Sequence, residues 1–376
     1  MIKHLLVVFG TRPEGIKMMP VVKAARREST FKTTVAVTGQ HRQMLDQVFT
    51  VFGEEPDIDL NLMAPNQTLA GITANVVLRM SEVLAELKPD MMLVHGDTTT
   101  AMAAAIAGFY NRIPIGHVEA GLRSNDLQRP WPEEFNRVAI DAIADYMFAP
   151  TQSARENLLG EYNRRSKILV TGNTGIDALL YVSKLIDENA TLQNQMSKRY
   201  DFLDRSHSLI LVTGHRRESF GDGFERICDG LLSVAKRPNV DVLYPVHLNP
   251  VVQSVVKQRL NGQPNIHLIE PVEYVDMVYL MKRAKLIVTD SGGIQEEGPA
   301  LGRPVLVMRD VTERPEALST GVVKLIGTDP RAMLDEVSRL LDDEAHYEAS
   351  ARPVFPYGDG TAAAQIIAFL KKEFAA

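Results

Sequence analysis

The stretch His4-Leu5-Leu6-Val7-Val8-Phe9-Gly10-Thr11-Arg12-Pro13-Glu14-Gly15-Ile16-Lys17 decides how this chain folds. An apolar run meets Gly10, and Pro13 then stands where a helix can take its first turn, because an N–H is not needed there. A buried strand, a tight loop and a helix in that order make the first step of a βα unit. The run is too brief for a signal-peptide core, lacks a small-residue cleavage site and leads into the glycine loop. It reads as a first buried strand instead.

The alternation continues outward. Thr33–Thr38, Met91–His95, Ile115–Glu119 and Tyr146–Ala149 read as further strands, with helical patterns at Ile72–Leu87 and Thr99–Tyr110. After Lys167–Val170, a helical pattern runs from about Ile176 towards Arg199. A second series of strands follows at Ser208–Thr213, Val240–Tyr244, Ile266–Ile269, Leu286–Thr289 and Pro304–Met308. This argues for the α/β class, with doubly wound, largely parallel sheets. A chain of 376 residues exceeds one ordinary domain, and two are expected. The expected division is residues 1–170 and 171–360, each Rossmann-like. A C-terminal helix at about 361–376, apolar at Ile366, Ile367, Leu370 and Phe374, is expected to pack back on the first domain.

Composition narrows the function. With 47 acidic and 41 basic residues the net charge is −6, which does not suit a nucleic-acid backbone. No run of about 18 apolar residues exists, so no membrane span is expected. Cys228 is the one cysteine, which excludes an internal disulfide and fits a reducing cytoplasm. No metal-ligand spacing is present, and the first loop is not G-x-G-x-x-G, so neither a metal nor a dinucleotide cofactor is expected.

In open α/β sheets, ligands bind beyond the carboxyl ends of the strands, and the polar motifs fall there. Arg12 and Lys17, with the backbone donors of their turn, would make an anion site, unless they are two solvated cations on a plain turn. His95-Gly96-Asp97-Thr98 ends the third strand and His117-Val118-Glu119 the fourth, with Glu133-Glu134 shortly after. Asp97 could serve only as a cap. Together with Glu119 and Glu133 it could also form an acid/base cluster, since neighbouring carboxylates raise one another's pKa. Acidic residues also suit a helix start, and that plainer role is expected for one of Glu133 and Glu134. Thr213-Gly214-His215-Arg216-Arg217 suits a phosphate and its neighbouring ring. Ser291-Gly292-Gly293 opens a helix directly after a strand and would aim backbone N–H groups at a phosphate. Glu297, one turn in, can reach ribose hydroxyls, and Arg314 adds a cation.

In order along nearly the whole chain, the blocks GTRPEGIKMMP (10–20), VHGDTTT (94–100), GHVEAGLRS (116–124), PWPEEFNR (130–137), TGNTGIDAL (171–179), TGHRRESFG (213–221), TDSGGIQEE (289–297) and PYGDG (356–360) resemble the non-hydrolysing UDP-N-acetylglucosamine 2-epimerases of bacteria. The resemblance implies two GT-B-like domains facing a central cleft, usually in a homodimer. It implies interconversion of UDP-GlcNAc and UDP-ManNAc, through loss of UDP to a 2-acetamidoglucal and its re-addition, in supply of surface polysaccharide. It places Asp97, Glu119, Glu133 and His215 on catalytic positions. Arg12, Lys17, Ser291, Gly292, Gly293, Glu297 and Arg314 fall on substrate-binding positions, with Arg314 on the uracil or phosphate side.

The block TGQHRQMLDQV (38–48) resembles a region that binds a second UDP-GlcNAc as activator in some members, which singles out Gln40 and Gln43. Asn66 stands where an Arg is typical, which removes a bidentate cation from that site. Gly15 in the first helix should weaken it unless a close approach requires it. Three other readings use the same motifs: an epimerase that releases ManNAc and UDP, a GT-B glycosyltransferase, and a nucleotide-sugar sensor without turnover.

Overall fold

The structure is a computed structural model that describes residues 2–39, 42–62, 67–161, 167–216 and 220–375. The chain forms two compact units, residues 1–180 with 357–376, and residues 181–356. The division therefore lies past residue 170, within the helix Thr174–Glu188.

In the first unit, strands β1 (Lys3–Phe9), β2 (Phe31–Val37), β3 (Ile58–Asp59), β4 (Met91–His95), β5 (Ile115–Val118), β6 (Tyr146–Ala149) and β7 (Lys167–Val170) form a parallel sheet in the order β3-β2-β1-β4-β5-β6-β7. β1 is central: Val7 pairs with Val35 on one side and Leu93 on the other, and Leu5 to Phe9 are fully buried. A strand covered on both faces needs a continuous apolar run, as residues 5–9 supply. The order reverses between β1 and β4, so the loops after these two strands flank the switch point where such sheets take ligands.

The second unit repeats the scheme. Strands β8 (Ser208–Thr213), β9 (Val240–Pro245), β10 (Ile266–Ile269), β11 (Leu286–Thr289), β12 (Val305–Val307) and β13 (Val323–Leu325) run parallel in the order β10-β9-β8-β11-β12-β13, with the switch between β8 and β11. The helical pattern from Ile176 to Arg199 is two helices, Thr174–Glu188 and Ala190–Arg199. Asn189 separates them because its side chain caps the second, accepting from the Leu192 amide at 3.0 Å. The short strands β3 and β13 lack an alternating pattern long enough to read from sequence.

The C-terminal helix Ala362–Ala375 belongs to the first unit. It buries Ile366, Ile367 and Leu370, and sets Phe369 edge-on against Tyr146 and Phe148. Asp177 caps it by accepting from the Ala362 and Ala363 amides at 3.3 and 2.8 Å. The chain re-enters this unit through a backbone crossing: Asn173 N–H donates to the Tyr357 carbonyl at 2.6 Å, beside Gly172 and Gly358, both at positive φ. A Cβ on Gly172 would stand 2.8 Å from the Gly358 Cα. Gly15 answers a similar demand in the first helix, since its Cβ would lie 2.9 Å from Leu45 Cδ2. The close approach there is that of the next helix, Arg42–Phe52.

Gly172→Ala should therefore lower folding stability by on the order of 1–3 kcal/mol from its φ of +88° alone, with the contact adding to this. Gly160→Ala, with open space around it, should be neutral or gain up to about 1 kcal/mol. Denaturant unfolding of the two variants beside the native chain checks the difference.

Candidate active site

Strand ends of the first unit bring one set of polar side chains together. Glu119 follows β5 with φ at +69°, a left-handed conformation that costs a non-glycine residue about 1 kcal/mol or more. The turn is held because the Glu119 and Ala120 amides both donate to the Phe148 carbonyl at 3.0 and 3.1 Å. Its carboxylate is met by three other chain segments. Lys17 Nζ pairs with Glu119 Oε2 in a short contact, Asn173 Nδ2 donates to the same oxygen at 2.9 Å, and His95 Nε2 lies 3.6 Å away. Gly175 lies beside the Lys17 stem, with the position of a Cβ there 3.5 Å from Lys17 Cε.

Asp97 ends the neighbouring loop. Its Oδ2 pairs with Arg137 at 2.8 Å, and its carbonyl accepts from Asn136 Nδ2 at 2.9 Å. Glu133, first residue of the helix Glu133–Ile143, and Glu119 both act on Asp97 through their charge. The two carboxylates are driven in opposite directions. Burial raises the Asp97 pKa above its ordinary value, aided by Glu119 and Glu133 and only partly opposed by Arg137 and Lys17. Burial would raise Glu119 too, but Lys17 and His95 overcome it and hold that carboxylate well below the usual range. Divergent pKa values in one cluster mark groups fitted for different acid/base roles.

Other carboxylates of the same motifs are scaffolding. Glu134 is buried and accepts from the Ser124 and Asn125 amides at 2.9 and 3.0 Å, so it holds a loop, whereas Glu133 remains half-buried. Glu14 closes the first loop by accepting from the Gly10 and Thr11 amides at 3.1 and 2.7 Å, and its other oxygen takes the Thr98 hydroxyl at 2.7 Å. The loops after β1 and β4 are thereby tied to each other. His117 bonds Asp141 at 2.6 Å and the Gly96 carbonyl at 2.8 Å, and Arg123 pairs with Asp141 at 2.7 Å. Arg12, at the first helical position, is half-buried.

In the second unit, Asp290 is fully buried after β11 and accepts from the His215 and Arg216 amides at 2.7 and 2.8 Å. The His215 ring stacks on His247 at 5.1 Å between centroids, with Nδ1 3.5 Å from Asp290 Oδ1. Burial lowers the His215 pKa, with His247 and Arg216 adding to this against Asp290, so the ring favours its neutral form. Ser291 precedes the helix Gly292–Ala300, and its hydroxyl makes no capping bond. A Cβ on Gly292 would lie 3.7 Å from Arg216 Nη2 and 3.8 Å from Arg314 Nη2, so two guanidinium ends converge on that helix N-terminus. This meets the requirements of an anion site: free backbone donors, a positive dipole end and fixed cations. Arg314 is braced by a short pair with Glu296, and Glu297 accepts from Tyr274 Oη at 3.1 Å.

A family model described as UDP-N-acetylglucosamine 2-epimerase matches residues 23–371. The chain belongs to the UDP-N-acetylglucosamine 2-epimerase family. It is similar to the UDP-N-acetylglucosamine 2-epimerase of Yersinia pestis, at 54% identity over 98% of each chain. Among solved structures it is similar to the UDP-GlcNAc 2-epimerase of Neisseria meningitidis bound to UDP-GlcNAc, at 45% identity and a TM-score of 0.92 over 98% of this chain and 100% of that one. A co-structure of S. aureus MnaA with UDP matches at 42% identity and a TM-score of 0.87, over 100% of this chain and 97% of that one. The two parallel α/β units are of the GT-B-like kind, and the protein is an enzyme of the isomerase class. No helix among the described residues is long and apolar enough to cross a membrane.

Within this epimerase, Lys17, Asp97, Glu119 and Glu133 share one neighbourhood of the first unit, while His215, Ser291, Gly292, Gly293 and Arg314 share one of the second. Gln40 lies outside the described residues, as does the Gln43 side chain, whose backbone is in the helix Arg42–Phe52. The motif reading gave Arg216 only as part of a phosphate-suited block, and did not single out His95, Asn173, Arg137 or Asp290. Each sits inside a quoted block, but its importance rests on a contact between distant segments.

Glu119 should stay ionised down to pH values below its ordinary 4.5, and Lys17→Met should move its titration upward. Because the folded value lies below the unfolded one, the ionised group stabilises the fold above about pH 4.5, and this contribution is lost as pH falls. Carboxyl 13C NMR of glutamate-labelled protein, with and without Lys17→Met, measures the titration directly.

Proposed function

We propose that the protein interconverts UDP-GlcNAc and UDP-ManNAc by eliminating and re-adding UDP. The observation that carries this reading is the pair of carboxylates driven apart in pKa, Asp97 upward and Glu119 downward, in a chain of this family. The C2 hydrogen of the sugar is not beside a carbonyl, so its removal needs a leaving group at C1. In the forward half, the C2 proton passes to Asp97, the C–H electron pair becomes the C1=C2 bond, and the C1–O bond breaks with its pair on UDP. A carboxylate with a raised pKa suits that exchange. Glu119, held charged by Lys17, stabilises the positive charge that develops at C1 and the ring oxygen. Glu133 returns a proton to the opposite face of C2, and UDP adds back to C1.

The leaving diphosphate falls to the second unit. Ser291, Gly292 and Gly293 offer backbone donors, Arg314 and Arg216 supply charge, and His215 donates to or accepts from the departing oxygen. Glu297 takes the ribose, and Arg12 a further polar group of the substrate. The product supplies ManNAc-derived sugars for surface polysaccharide, and a chain with one buried cysteine works in the reducing cytoplasm without penalty. A homodimer, as the family resemblance implies, is part of this reading.

Proton NMR in D2O with UDP-GlcNAc tests the reading. Growth of UDP-ManNAc with deuterium at C2 of both sugars is expected, while free ManNAc would signal hydrolysis and an unchanged spectrum would refute the epimerase. Asp97→Asn and Glu119→Gln should cut turnover at least about 100-fold and leave UDP affinity nearly unchanged. Arg314→Ala should instead weaken UDP binding by roughly 10- to 100-fold, as read by calorimetry.

A further inference from the structure

His95 is the last residue of β4, and its strand register sets it opposite Val118, the residue before Glu119. Its side chain is 4% exposed, and among the described residues neither Nδ1 nor Nε2 has a hydrogen-bond partner. A buried polar atom without a partner loses about 1–3 kcal/mol, so its persistence in a site points to use. Nε2 stands 3.6 Å from Glu119 Oε2, just beyond a hydrogen bond, and such contacts in unliganded active sites often tighten on loading.

The surroundings decide which proton matters. Glu119 Oε2 is faced by Lys17 from the first helix and by Asn173 from the loop after β7, both of them donors. Asp97 follows His95 closely in sequence but is engaged by Arg137, with Glu133 acting on it from the same helix. His117, on the adjacent strand, is turned to Asp141 and the Gly96 carbonyl. The charged atom nearest to His95 Nε2 is thus an acceptor already organised by two donors.

We infer that His95 is a positioning residue for Glu119, donating its Nε2–H to Glu119 Oε2 in the loaded site. With Lys17 and Asn173 it completes three donors on one oxygen, which turns the other oxygen to the substrate. The inference rests on the reading of Glu119 as an active-site carboxylate, and no bond to carbon is made or broken by His95.

His95→Gln keeps a donor near the Nε2 position, and His95→Leu removes it. In the C2 deuterium-exchange assay, His95→Leu should lower kcat at least about 30-fold while His95→Gln retains it within about fivefold. UDP affinity should not change in either. Loss of a donor to a carboxylate raises its pKa, so the Glu119 carboxyl 13C titration in the UDP-bound protein should move to higher pH in His95→Leu and return in His95→Gln. A folded His95→Leu with native kcat and a native Glu119 titration overturns the inference. If that variant does not fold, imidazole 15N NMR of the wild type decides: the His95 Nε2 resonance should move when Glu119→Gln is introduced, and its indifference overturns the inference. Wild-type protein that exchanges no C2 hydrogen refutes the epimerase reading instead, and the imidazole measurement still judges His95.

Discussion

The carboxylate of Glu119 is the constraint around which the first unit is arranged. An ionised carboxylate in a buried position is costly unless it is paired and hydrogen-bonded. Here Lys17 comes from the first helix, His95 from the end of β4, Glu119 from the end of β5 and Asn173 from the loop after β7. The charge is thus met from three separate segments. Their convergence explains why the chain accepts a left-handed backbone at Glu119. It also explains the crossing of Gly172 and Gly358, which seats the backbone of Asn173.

Behind this group stands a recurrent device. Loops at the carboxyl ends of parallel strands expose backbone N–H groups that need acceptors. Glu14, Glu134, Asp141 and Asp290 each supply one, accepting from loop amides while buried. Each fixes the course of a loop close to a chemically useful residue: Lys17 and Glu133 on the adjoining helices, Glu119 and His215 on the loops themselves. Rigid support of this kind is what lets short polar side chains hold a working geometry.

The second unit solves a different problem with related parts. A chain of net charge −6 can still present a local positive site if cations are held against one helix N-terminus. Arg216 and Arg314 are so placed at Gly292, and acidic partners, Glu313 and Glu296, keep both guanidinium groups oriented. His215 is kept towards its neutral form by burial and by the charge of Arg216, while Asp290 holds its loop.

The sequence alone was enough for the α/β class, the two series of strands and the position of the polar blocks at strand ends, because strand burial and loop chemistry are local properties of the chain. It was also enough for the family, since the ordered blocks span nearly all of it. What it left open was decided by contacts between remote segments. That Glu134 is scaffold and Glu133 is not depends on where the amides of Ser124 and Asn125 lie. That Asp97 and Glu119 differ in proton affinity depends on which cation each meets, and residues 17 and 119 meet only once the sheet has formed. Gly15 read as a weak point in a helix and proved to be the seat of Leu45. Local patterning sets which elements form, but charge and packing act through space, and only the tertiary structure brings those distances into being.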